Sequence, residues 1–276
     1  MRTLSATLVA VTLGCGSGAT PQTAFDGARA LSYVEAQLEF GPRVPNTEGH
    51  KRMGNWLLDR LRERADSVEV QGFTHVTVDG DTLALRNFIA RFRPRERERV
   101  LYVAHWDTRP HADNSANLGE QRLPVPGAND GASGVAVLLG VADVFREKPP
   151  AFGVDLLFVD GEDYGDFGVD KDVLLGSRYY ASTIDTTALP LFAVVWDMVG
   201  DRDLEILREG HSVDRAPEVV ERVWRIADEL GYGRVFRRNV SYVTDDHLPL
   251  LDAGIRAINV IDLEYGPSRS YWHTLE

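Results

Sequence analysis

The sequence predicts an α/β fold with a mixed, mostly parallel central sheet. Three observations point there. Short apolar runs at 99–106, 154–159, 192–198 and 257–261 read as buried strands. Segments of helical periodicity alternate with them, as in a sheet built from strand–helix–strand units. The chain has 276 residues, 43% of them hydrophobic and 26% charged, which suits one large domain with a substantial core.

Each element has a local reason. Residues 24–38 repeat apolar side chains at helical spacing (Phe25, Ala28, Leu31, Val34, Leu38) until Gly41-Pro42-Arg43-Val44-Pro45 breaks the pattern. Asn46 or Thr47 can cap a second helix to about Arg64, with Met53, Trp56, Leu57 and Leu61 on one face. Residues 68–78 and 83–93 read as a hairpin across Asp79-Gly80-Asp81, adding antiparallel edge strands. After the strand at 99–106, residues 131–147 form a mostly apolar and therefore buried helix. The strand at 154–159 precedes a short helix at 176–183. Strands at 192–198 and 204–208 follow. Residues 217–230 form an amphipathic helix with Pro217 in its first turn and Gly231 past its end. A short helix at 246–252 leads to the last strand. Residues 108–129 form a long polar loop between core elements, the kind that serves as a lid or binding loop.

Composition excludes some partners. Net charge is −12 and no Lys/Arg tract occurs, which argues against nucleic acid or anionic lipid as the main partner. After the N-terminus, no stretch is long and apolar enough to span a bilayer. The N-terminus itself reads as a signal peptide at 1–15. It has Arg2, an apolar run to Leu13, and Gly14-Cys15-Gly16. The Leu-Gly-Cys ending resembles a bacterial lipoprotein signal, which would lipidate Cys15 and place the protein in the periplasm or on a bacterial membrane. Cys15 is the only cysteine, so a thiolate metal site or nucleophile is excluded from the mature domain. Residues 16–23 read as a linker, and 24–276 as a single catalytic domain.

The chemistry gathers at strand ends. Val154–Val159 runs into Asp160-Gly161-Glu162-Asp163. Adjacent strand residues face opposite ways, so two neighbouring carboxylates can share a site only where the backbone turns. Other predicted strand ends carry His105-Trp106-Asp107 and Asp197. Asp130 opens a helix, and His273 lies near the C-terminus. Each has an ordinary explanation: a cap, a turn, a structural hydrogen bond. Together they form the array of oxygen and imidazole groups that an open α/β sheet offers at its carboxyl edge. Such donors suit zinc, and other divalent metals as well.

Five motifs occur in order: Gly-Ala-Asn-Asp-Gly-Ala-Ser-Gly from Gly127, Asp-Gly-Glu-Asp-Tyr-Gly from Asp160, Trp-Asp-Met-Val-Gly from Trp196, Thr-Asp-Asp-His-Leu-Pro from Thr244, and Trp272-His273-Thr274. From about residue 24 onward the chain resembles the glutaminyl-peptide cyclotransferases (glutaminyl cyclases), above all the bacterial ones. That resemblance implies a zinc-aminopeptidase-like, three-layer α/β/α fold. It implies an acyltransferase that converts N-terminal glutamine of a peptide or protein to pyroglutamate with release of ammonia. It further implies one zinc ion on Asp130, Asp163 and His273, a general acid/base at Glu162, supporting aspartates at Asp197 and Asp245, and a pocket wall at Trp272.

The chain departs from the family in places. Asp163 stands where the animal enzymes often have Glu, as in the bacterial form. Asn259 stands where the animal enzymes carry a histidine. A further pocket tryptophan has no counterpart, and Phe167 is the nearest aromatic; the resemblance thus implies Trp272, Asn259 and Phe167 as substrate-binding residues. Family members usually continue past Trp-His-Thr into a C-terminal helix, whereas this sequence stops at Glu276, which suggests a truncated product. Two other readings use the same residues. One is an aminopeptidase with a second metal on His105 and Asp197, Asp130 bridging. The other is an inactive binding module.

Overall fold

In the computed structural model, residues 24–276 are described; the expected signal peptide, Cys15 and the linker lie outside them. A six-stranded sheet forms the middle layer, in the order β1 (Ser67–Val76), β2 (Thr82–Phe92), β4 (Gly153–Val159), β3 (Arg99–His105), β5 (Ala193–Asp197), β8 (Ala257–Ile261). The hairpin β1–β2 is antiparallel and joins β4 antiparallel; β4, β3, β5 and β8 run parallel. The mixed, mostly parallel sheet is the one the sequence predicts.

Strand alternation divides the core into two layers. Phe88, Ala90 and Phe92 of β2 pack with Val154, Leu156 and Phe158 of β4 against α2 (Glu48–Arg62) and α3 (Ala132–Glu147). Helix α2 supplies Met53, Leu57 and Leu61, all fully buried. The intervening Ile89, Leu157 and Val159 face the opposite layer, which holds Val219, Val220 and Trp224 of α6 (Pro217–Glu229) and Leu250 and Leu251 of α7 (His247–Asp252). Burying one such side chain contributes about 1.5–3 kcal/mol, and Leu57→Ala would cost about 2–5 kcal/mol.

The predicted boundaries shift by a few residues at most. The first helix, α1 (Gly27–Leu38), is capped by the Asp26 side chain on Arg29 N–H, and α2 by Thr47 on His50 N–H. One strand and one α-helix were not expected. Strand β7 (Phe236–Ser241) pairs in parallel with β6 (Ile206–Glu209), and its Arg237-Arg238-Asn239 centre is exposed, so no apolar alternation marks it. Helix α5 (Gly210–Arg215) is held at its start by the Glu209 side chain, which accepts from His211 and Ser212 N–H groups.

The topology places the site. Strand β3 leads into α3 on one face, β4 leads into α4 (Leu175–Thr183) on the other, and the chain then returns to β5 beside β3. The crevice at such a switch point, outside the carboxyl ends of the strands, is where open α/β sheets bind ligands.

Candidate active site

His105 is the last residue of β3 and Asp197 the last of β5. Strand β4 stops at Val159, and Gly161 takes φ 70°, turning the chain so that Glu162 and Asp163 both reach one site. Their backbone N–H groups donate to Asp107 Oδ1 and Oδ2 at 3.1 and 3.2 Å, so Asp107 fixes the turn. Asp130 does not cap α3. The N-cap is Gly131, at φ 84°, and no side chain caps it. A Cβ at Gly131 would stand 2.7 Å from the Asp107 carbonyl and 3.1 Å from the His105 ring.

The structure brings Asp130, Asp163 and His273 together, with one potential ligand atom from each within 4.8 Å of the others. His273 Nε2 lies 3.3 Å from Asp163 Oδ1 and 3.8 Å from Asp130 Oδ2. Asp163 Oδ2 is buried without a hydrogen-bond partner, which is costly unless something binds it. Two carboxylates and an imidazole, with an orphaned oxygen among them, fit a zinc ion in charge and donor type. His105, Asp130 and Asp197 form a second such group sharing Asp130. There His105 Nε2 lies 3.1 Å from Asp130 Oδ1 and 3.2 Å from Asp197 Oδ1.

These groups open into a cleft of about 320 Å³ lined by acids (Asp130, Glu162, Asp163, Asp197, Asp245) and by apolar and aromatic side chains, among them Phe167, Met198, Ile261 and Trp272. The Trp272 ring lies on His273, centroids 3.8 Å apart. Glu162 is 5% exposed. Burial pushes its carboxyl well above the usual range; Asp163, Asp245 and Asp246 add to the rise, and His105 opposes it. Burial, with Asp245 and Asp130, likewise lifts Asp197 to about 7 against the pull of His105. His273 is lifted to about 9: burial works against its charge, but Asp163 and Asp113 outweigh burial.

Some placements differ from expectation. Asn259 does not line the cleft. It is fully buried in β8 and its amide donates to Asp245 Oδ2 at 2.5 Å, so it braces Asp245 from behind. Asp197 has His105, not Glu162, as its direct partner. Residues 108–129 contribute nothing to the cleft lining. Arg43, fully buried, grips that loop instead, donating to the Pro126 and Gly127 carbonyls at 2.6 Å each. Sequence reasoning missed Asp246, fully buried beside Asp245 with neither oxygen hydrogen-bonded. Its only signal was its place in the Asp-Asp-His motif.

Residues 87–276 match the model of peptidase family M28. The chain belongs to this family. The structure of Bacteroides thetaiotaomicron glutaminyl cyclase bound to N-acetylhistamine is 38% identical, with a TM-score of 0.86 over 94% of this chain and 91% of that one. A zinc-dependent exopeptidase from Parabacteroides distasonis is 35% identical, with a TM-score of 0.87 over the same shares. Glutaminyl-peptide cyclotransferase of Drosophila melanogaster is 25% identical over 84% of this chain and 70% of its own length. The family and these neighbours bear out the zinc-aminopeptidase-like fold and zinc as the cofactor.

Proposed function

We propose that the protein cyclises N-terminal glutamine of peptides to pyroglutamate, releasing ammonia. The observation that carries this is Glu162: a buried acid beside the Asp130–Asp163–His273 group but outside it, in a cleft partly lined by apolar side chains. Similarity to glutaminyl cyclases over nearly the whole chain supports the reading. Asp130, Asp163 and His273 would hold the zinc ion, which would supply Lewis-acid polarisation of the substrate's γ-carboxamide.

The protein's own groups do the rest. Glu162 takes a proton from the substrate α-amine as its nitrogen attacks Cδ, the carbonyl carbon of the side-chain amide, and returns it to the departing ammonia. The C–N bond of the side-chain amide breaks as the ring bond forms, so the peptide bonds stay intact. Burial, with Asp245 and Asp246 beside it, keeps Glu162 basic enough for both transfers, while Asp197 pairs with His105. Trp272 and Phe167 wall the cleft, holding amine and amide in one compact geometry, which is much of the rate gain.

The test is mass spectrometry of a Gln-initiated peptide and a Leu-initiated control. The expected result is loss of one ammonia from the first and no change in the second, with activity removed by chelation and restored by zinc. Release of free glutamine or leucine would refute cyclisation and favour the two-metal aminopeptidase, for which the His105–Asp130–Asp197 group is the specific observation.

The proposal extends to location. The sequence at 1–15 supports export, with Cys15 lipidated and the catalytic domain held at a bacterial membrane surface or released into the periplasm. A Cys15→Ala variant should move from the membrane to the soluble fraction.

A further inference from the structure

The loop at 108–129 does not line the cleft; its first turn contacts Asp163 instead. Arg109, 7% exposed, donates from Nη1 to Asp163 Oδ1 at 2.8 Å and to the Gly165 carbonyl at 3.1 Å. Its Nε and Nη2 grip Asp113 Oδ1 and Oδ2 at 2.9 and 2.6 Å. Asp113 Oδ1 in turn lies 3.6 Å from His273 Nδ1, and Asn114 N–H donates to the His273 carbonyl at 3.2 Å. A chain of charged groups thus runs from Asp163 through Arg109 and Asp113 to His273.

We propose that Arg109 and Asp113 form a clamp that presets Asp163 and His273 for zinc and so determines how tightly the ion is held. The inference rests on the assignment of these two residues as ligands. With Oδ1 of Asp163 engaged by Arg109, Oδ2 is left buried and unpartnered, ready for a cation. With Nδ1 of His273 facing Asp113, Nε2 is left to face Asp163 and Asp130. His273 also sits at φ 56°, a conformation that a non-glycine residue keeps only when its surroundings hold it. A lone guanidinium beside a ligand would repel a dication. Paired with Asp113, Arg109 adds no net charge, so what the clamp contributes is orientation. Partners of this kind, one step behind a metal's ligands, typically change metal affinity by about 10–100-fold.

The test measures zinc dissociation constants by competition with a chromophoric chelator, using the full chain. The double variant Arg109→Gln/Asp113→Asn removes both charges and leaves the net charge unchanged. It should hold zinc about 10–100-fold more weakly, and Asp113→Asn alone at least as weakly, because it leaves the Arg109 guanidinium unpaired beside Asp163. Wild-type affinity in the folded double variant overturns the clamp. A merely structural role would lower the melting temperature of the zinc-free protein and leave the affinity of the folded fraction untouched. Should the double variant fail to fold, Asp113→Asn decides, since that side chain is 46% exposed and its loss is mild; unchanged affinity there is equally fatal. His273→Ala is the control. If it binds zinc as wild type does, the ligand assignment has failed. If it loses zinc while the double variant keeps it, only the clamp has.

Discussion

Asp160 and Asp163 lie three residues apart after the same strand, and their surroundings are opposite. Asp160 is fully buried and saturated. His50 Nε2 stands 2.8 and 3.0 Å from its two oxygens, and the Arg86 N–H donates to Oδ2 at 2.7 Å. The His50 ring stacks on Trp106 with centroids 4.3 Å apart. Nothing remains for a ligand, and this pair ties α2 to the end of β4. Asp163 keeps an unpartnered oxygen amid other acids. Both sites are built from Asp and His at a strand end. One has spent its hydrogen-bonding capacity on the fold, and the other has kept some for a ligand. A saturated pair is a stability device and an unsaturated cluster is a reactive one.

The contrast is broken most forcefully at Glu162. Glu162→Gln should cost roughly two to four orders of magnitude in turnover, with zinc content and melting temperature close to wild type. Near-normal turnover would place the acid/base elsewhere.

His50→Ala should behave in the reverse manner. Removing one member of a buried pair costs about 3–5 kcal/mol of stability, while the folded fraction keeps its zinc and its turnover. A variant with normal unfolding energy but no activity would show that the saturated pair belongs to the site after all.

A third polar cluster sharpens the comparison through pH. Burial alone would raise the Glu209 carboxyl, but His247, the Ser212 hydroxyl and the His211 N–H outweigh burial and hold it at about 2, below its ordinary 4.5. A carboxyl lowered by folding stabilises the fold above its unfolded value, and that stability is lost as pH falls from about 4.5 to about 2. The shift corresponds to about 3 kcal/mol. Glu209→Gln should flatten the acid limb of unfolding energy against pH in that window. An acid limb as steep as wild type would remove Glu209 from the saturated class.

The smallest expected effect is at His105. If one zinc is bound, His105→Ala should retain one equivalent by elemental analysis. Two equivalents in wild type and one in the variant would make the second cluster a metal site and shift the reaction toward the peptidase.

Much of this was legible from the chain. The order of strands and helices followed from period and punctuation, because apolar runs must be buried and Gly and Pro break them. The residues that gather at the cleft were legible because their motifs occur in order. What escaped was set by three-dimensional neighbours. Strand β7 has an exposed Arg-Arg-Asn centre, so its pairing with β6 leaves no periodic trace. Asn259 reads as a pocket residue until the register of β8 beside β5 buries it behind Asp245. The loop at 108–129 reads as a lid by length and polarity alone, yet it stays off the cleft lining, tied down by Arg43 and Arg109. By itself the sequence determined the layers, the strand ends and the kinds of donor atom available there. Only the tertiary structure decided which of those atoms remain unpaired. Satisfaction of a buried polar group depends on partners from distant parts of the chain, and no local pattern of residue types records them.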